Sequence, residues 1–127
     1  MSTIRDVTPR DSFAMIQKGA LLVDVREPHE VARKSFDVPD SMLIPLSQLH
    51  KRFKEIPAKR QTVIACRSGN RSVTAVRFLM SHGYSKAVNL QDGIIRWEKE
   101  GLPVRRPLKQ KSGSWFTRLF GRKSPVQ

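Results

Sequence analysis

Apolar positions along this chain switch repeatedly between short unbroken runs and runs spaced three or four apart, the marks of strands and helices taking turns. Ile4 to Val7 reads as a short first strand. Thr8-Pro9-Arg10-Asp11 then supplies an N-cap, an N1 proline and an acidic first turn ahead of Phe13 and Ile16, with Gly19 as the stop. Ala20 to Val25 is an apolar run of the kind found in a strand covered on both faces, and a short helix is expected from about Pro28 to Lys34. Ser35 to Ser41, with Pro39 and two aspartates, reads as a turn feeding a third strand, Met42-Leu43-Ile44, which Pro45 breaks. Leu46, Leu49, Phe53 and Ile56 mark one helix face, with Lys51, Arg52 and Lys54 outside and Pro57 at the end. Gln61 to Ala65 is the fourth strand. Ser72 to His82 reads as a helix with Val73, Val76, Leu79 and Met80 inward and Gly83 as its stop. Ala87 to Leu90 is the fifth strand, and a last helix from Gly93 to Glu100 sets Ile94 and Trp97 on one face before Gly101 and Pro103.

Strands that alternate with helices need a crossover at each return to the sheet, so the fold class expected is α/β: a five-stranded, mainly parallel sheet flanked by helices. Ligands of such sheets sit beyond the carboxyl ends of the strands. The fourth strand delivers Cys66, the only cysteine in the chain, to that place.

With 127 residues, 39% of them hydrophobic, the chain suits one compact domain. No apolar run approaches the roughly 20 residues of a bilayer span, and the N-terminus has no apolar stretch of signal type, so a cytoplasmic location is expected. A single cysteine forms no internal disulfide, and His29, His50 and His82 are too scattered for a zinc pattern; neither a metal site nor a cofactor is expected. Net charge is +13, and residues 105–127 hold seven of the 24 Lys/Arg and no Asp/Glu. The basic body favours anionic substrates or acidic partner surfaces. Nucleic acid is not implied, because basic and aromatic residues do not interleave as in RNA-reading domains.

Cys66 is followed by Arg67-Ser68-Gly69-Asn70-Arg71-Ser72. A free thiol is mostly protonated at neutral pH, so a nucleophile here needs help to ionise. Arg67 and Arg71 supply positive charge, the helix beginning near Ser72 points its positive end at the loop, and Gly69 permits the left-handed turn that lets backbone N–H groups converge. The same cradle suits an oxyanion such as thiosulfate. A free cysteine at a strand end is often only a small buried hydrophobe. Two arginines within five positions have no use in that reading, and Cys66 is taken as the nucleophile. Lacking a second cysteine to resolve it, a Cys66 persulfide must pass its outer sulfur to an external acceptor, which implies two-step transfer.

These residues resemble the rhodanese (thiosulfate sulfurtransferase) family, as a single-domain member. Asp24-Val25-Arg26-Glu27-Pro28-His29-Glu30 is similar to its early Asp-Val-Arg-Glu-x-x-Glu signature, and Ile44-Pro45-Leu46 to the segment after its third strand. Cys66 to Ser72 resembles its active-site loop, and Asp92-Gly93 with Trp97, Gly101, Leu102 and Pro103 its closing motif. The resemblance implies a rhodanese-like domain over 1–104 with a three-layer α/β/α fold, a persulfide on Cys66, thiosulfate or another persulfide as donor, and cyanide or a thiol such as glutathione or a thioredoxin-like protein as acceptor. Two departures stand out. The family usually has Gly-His-Ile-Pro-Gly-Ala where this chain has Ser35 to Ser41, and paired glycines where it has Asp92-Gly93.

Loop length argues against related phosphatases and arsenate reductases, which place five residues between their cysteine and arginine; here Arg71 follows after four. The remaining alternative is a non-catalytic sulfur-relay or interaction module. Arg67, Ser68, Gly69, Asn70, Arg71 and Ser72 are thus the candidate anion-binding residues, with Ser68 and Ser72 reading equally as loop or helix-cap hydroxyls. Asp24, Arg26 and Glu30 are read as structural ties near the site rather than as acid/base groups. The tail, 105–127, carries Trp115, Phe116, Leu119 and Phe120 among basic residues, a pattern open to an anionic membrane surface, a partner protein, its own domain or no structure at all.

Overall fold

The computed structural model describes residues 3–108. The tail readings at 109–127 lie outside the described residues.

The described residues form seven strands and five α-helices. β1 (Asp6–Val7), β2 (Leu21–Asp24), β4 (Ser41–Leu43), β5 (Thr62–Ala65) and β6 (Ala87–Leu90) form one sheet in the order β1-β6-β5-β2-β4, and every pairing in it is parallel. The helices are α1 (Pro9–Gln17), α2 (Pro28–Arg33), α3 (Leu46–Arg52), α4 (Asn70–Ser81) and α5 (Gly93–Lys99). A 3₁₀ turn at Phe53–Glu55 extends α3, which keeps Leu46, Leu49, Phe53 and Ile56 against the core after the α-helix has ended. Thr8 caps α1 as its sequence suggests, its Oγ1 accepting the Asp11 N–H at 3.1 Å.

Side chains alternate across a strand, and that alternation makes the three layers. Leu21, Val23, Val25, Ile64 and Cys66 join one buried cluster with Leu49, Val76 and Leu79 of α3 and α4. Leu22, Val63 and Ala65 join the other, with Ile16 of α1 and Ile94 and Trp97 of α5. The α/β/α architecture with a five-stranded sheet is therefore what the chain adopts. Connections leave β2 and β5 in opposite directions, β2 towards β4 and β5 towards β6, so a crevice opens at the carboxyl ends of these two central strands. Asp24 and Cys66 lie at those two ends.

Several boundaries move from the expected ones. The third strand of the sheet is Ser41–Leu43 rather than Met42–Ile44, and α4 starts at Asn70 rather than Ser72. The segment expected to be a turn, Ser35 to Ser41, opens with a strand, β3 (Ser35–Phe36), paired antiparallel with β7 (Val104–Arg105). The boundary expected after residue 104 thus falls inside β7. This small second sheet closes the α1–α5 side: Phe36 meets Trp97 edge-on at 5.1 Å, Phe13 meets it at 5.8 Å, and the Trp97 indole N–H donates to the Pro103 carbonyl at 2.8 Å. Asp37 and Asp40 stand in the stretch where glycine is usual in the resembling sequences, and each takes an arginine, Arg105 and Arg60, both at 2.5 Å. Neither needs a left-handed backbone.

Candidate active site

The site is built from the end of β5 outward. Cys66 is 1% exposed, with its side chain on the α4 face of the sheet. Its Sγ accepts the Gly69 N–H at 3.1 Å and the Ser72 N–H at 3.4 Å. Gly69 makes this closure possible: φ is 102° there, and a Cβ would lie 3.1 Å from the Asp92 nitrogen. Among the described residues, the N–H groups of Arg67, Ser68, Asn70 and Arg71 have no protein acceptor. These N–H groups and the positive end of α4 converge on the space beside the sulfur, an arrangement suited to holding an anion there.

What holds the loop open is the start of α5. Ile94 N–H donates to the Cys66 carbonyl at 3.0 Å and Ile95 N–H to the Arg67 carbonyl at 3.2 Å. In a trans peptide the N–H points opposite to the carbonyl. Pinning these two carbonyls to α5 therefore turns the N–H groups of Arg67 and Ser68 away from it. The approach requires glycine at position 93, where a Cβ would sit 2.3 Å from the Arg67 oxygen and 2.5 Å from the Cys66 oxygen. Asp92 is left-handed too, with φ 63°, the one non-glycine residue among those described with a positive φ. Where the family usually has a glycine, Asp92 here takes a left-handed conformation that costs most residues about 1–2 kcal/mol.

The arginines divide the work differently from the expectation. Arg71 is not free for an anion: its Nη1 and Nη2 donate to the two oxygens of Glu30 at 2.6 and 2.8 Å. Glu30 also accepts the Glu27 N–H at 2.9 Å. Its carboxyl is lowered from an ordinary 4.5 to about 2, first by the Arg71 hydrogen bonds, against the opposing effect of burial. Arg71 is raised in turn, chiefly by Glu30. Arg26 is buried and forks onto Asp24, with Nη2 at 2.8 Å from Oδ2 and Nε at 3.0 Å from Oδ1, while the same Nη2 donates to the Lys34 carbonyl at 2.9 Å. Asp24, Arg26 and Glu30 therefore act as ties between the ends of β2, α2 and α4. Arg67 is exposed and has no acidic partner among the described residues. Ser68 and Asn70 are exposed beside it.

Two residues behind the sulfur escaped sequence reasoning. Asp6 and Asn89 are register neighbours on β1 and β6, and the Asn89 Nδ2 donates to the Asp6 carboxylate at 2.9 Å. A carboxylate only accepts, so the amide must turn its Oδ1 the other way, onto the Ser72 Oγ at 2.5 Å. The Ser72 hydroxyl proton is spent there. Ser72 Oγ, 3.4 Å from Cys66 Sγ, is left to face the sulfur with a lone pair. Ser72 is then neither the helix cap nor a donor to the sulfur through its side chain; its backbone N–H is the donor.

A buried cysteine in an amide cradle, at the switch point of a parallel sheet, is the feature around which the candidate site of this α/β protein is built. The chain belongs to the rhodanese-like domain family, whose model matches residues 8–100. It is 45% identical over 87 residues to a sulfurtransferase of Allochromatium vinosum, a match that spans 68% of this chain and 79% of that protein. To a thiosulfate sulfurtransferase, GlpE, of Pseudomonas syringae it is 29% identical over 97 residues, 76% of this chain and 90% of that one. The crystal structure of a rhodanese-related protein from Thermoplasma volcanium superposes with a TM-score of 0.73 at 35% identity, covering 80% of this chain and 97% of the other.

Two outcomes test this geometry. The Glu30 carboxyl ionises at lower pH folded than unfolded, so its contribution is complete above about pH 4.5 and is lost as pH falls from 4.5 towards 2. For this partly exposed pair it amounts to roughly 1 kcal/mol. Urea unfolding of Glu30→Gln will show that deficit at neutral pH and a gap to the parent that closes over the acid window; parallel curves would deny the pair its role. Asn89→Leu frees the Ser72 hydroxyl to donate to sulfur, so iodoacetamide will alkylate Cys66 at a changed rate, faster at neutral pH. Adding Ser72→Ala to that variant will return the rate towards the parent's, and a rate that ignores Ser72 would refute the hydroxyl's assigned direction.

Proposed function

We propose that the chain is a sulfurtransferase that moves sulfane sulfur from thiosulfate or a persulfide donor to a thiol or cyanide-type acceptor, with Cys66 as nucleophile and carrier. The observation that carries this reading is the sulfur itself: Cys66 Sγ accepts two backbone N–H groups at the strand end while four more in the same loop stand without an acceptor. Names carried by its relatives in Allochromatium vinosum and Pseudomonas syringae agree with it.

In the first step the Cys66 thiolate attacks the outer sulfur of thiosulfate, the S–S bond of the donor breaks, and sulfite leaves with the bonding pair. The product is a Cys66 persulfide whose terminal sulfur carries the negative charge. The free N–H groups of Arg67, Ser68, Asn70 and Arg71 are the donors available to that terminal sulfur, and Arg67 meets the incoming dianion. In the second step an acceptor thiolate attacks the terminal sulfur, the S–S bond breaks, and Cys66 departs as the thiolate. Attack by the thiolate form itself calls on no general base. Cys66 is only 1% exposed, so the donor must present a narrow terminal sulfur end-on. Phosphoryl transfer fits less well, since Arg71 is engaged by Glu30.

A relay module that receives sulfur from one protein and hands it to another uses the same persulfide. Among the described residues no helix is long and apolar enough to cross a membrane. Intact-mass spectrometry after thiosulfate treatment is expected to show a gain of one sulfur, located on Cys66 and released by cyanide. Arg67→Ala should lower the loading rate by about tenfold, the loss of one charge-assisted contact. Sulfur retained by Cys66→Ser would overturn the assignment.

A further inference from the structure

Beside the Cys66 loop lies an open cleft of about 510 Å³, walled by Arg26, His29, Arg33, Lys34 and Arg67, with Ile95 at its α5 side. That volume is in the range that holds a ligand of drug size, far beyond the needs of thiosulfate. Its charge is not balanced by its own acids. Arg26 is spent on Asp24, Lys34 on Glu98 at 2.6 Å, and Glu30 on Arg71, which leaves Arg33 and Arg67 without an acidic partner among the described residues. Ile95 adds an apolar contact: it is 43% exposed, and among the described residues only Leu108 is a more exposed large hydrophobe.

We infer that this cleft is the docking site of the acceptor, and that the acceptor is a protein thiol whose cysteine lies in an acidic segment with an apolar neighbour. The inference rests on the sulfurtransferase reading of Cys66. Unpaired cations around an apolar anchor match a polypeptide that carries carboxylates and a hydrophobic side chain together, and such pairing governs partner choice and encounter rate. The chain's own C-terminal segment is a poor occupant, because residues 109–127 carry five Lys/Arg and no acid. Single-stranded nucleic acid is poorly matched as well: no Phe, Tyr or Trp side chain lines the cleft for a base to stack on. The transfer balances without any further reactant. The acceptor thiolate takes the terminal sulfur of the Cys66 persulfide and becomes a persulfide itself, and the electron pair of the broken S–S bond stays on Cys66.

Full-length protein loaded with thiosulfate supplies the test, in single turnovers with cyanide and with two short peptides that differ only in glutamates or lysines flanking one cysteine. The acidic peptide should react about tenfold faster than the basic one, with the advantage shrinking as ionic strength rises. Arg33→Ala should reduce the acidic peptide's rate by about tenfold relative to the cyanide rate, while loading still reaches one sulfur per chain, which also shows that the variant is folded. Loading followed by equal transfer to both peptides overturns the docking site alone. So does stronger inhibition by a single-stranded oligonucleotide than by a cysteine-free acidic peptide. Failure of Cys66 to load overturns the sulfurtransferase reading and this inference with it.

Discussion

Everything at this site depends on one close approach of backbone to backbone: the Asp92–Gly93 turn pressed against the carbonyls of Cys66 and Arg67. Hydrogen bonds from Ile94 and Ile95 fix those carbonyls, and planarity of the peptide then fixes the N–H groups that follow them. The cradle is a consequence of how α5 seats on the loop. Glycine at 93 is demanded by contact distances, and glycine at 69 by a left-handed turn that lets its own N–H reach the sulfur. The sheet places Cys66; α5 and α4 give it an electrostatic environment.

Charge around the cradle is layered. Closest to the core, Arg26 and Asp24 are consumed by each other, and a buried pair of this kind must stay complete, because removing one partner strands the other's charge. Next out, Glu30 binds Arg71 and ties α2 to the first turn of α4. Only the outer ring, Arg67 and Arg33, remains uncommitted to protein acids among the described residues. Positive charge near the sulfur thus comes in two kinds: a fixed contribution from Arg71, and a contribution at Arg67 that is free to meet an anion. The paired residues hold the ends of β2, α2 and α4 in register so that the free ones face the cleft.

Much of this was legible in the chain because it is written in local patterns. Alternating apolar runs located all five strands of the main sheet to within a residue or two, and the Cys66–Ser72 string identified the loop through its charge and its glycine. What escaped reading is non-local. β3 and β7 are two residues each, too short to carry a period, and they pair across most of the chain. The sequence offers Ser72 as a cap, but α4 starts two residues earlier because its N-cap is Gly69 in a left-handed conformation, and Ser72 is occupied with Asn89 and the sulfur. Asp6 and Asn89 meet only through strand register, and nothing in their sequence surroundings marks them. Arg71 looked like an anion ligand until the fold brought Glu30 to it.

The central claim is that the Gly69 and Ser72 amides bear on the charge of the Cys66 sulfur, and amide proton shifts followed by NMR through a pH titration report on it directly. The account predicts that these two resonances move downfield together as Cys66 becomes reactive towards alkylation, over one shared pH range, and that Cys66→Ala abolishes the movement. Alkylation that titrates while both amides stay still would contradict it.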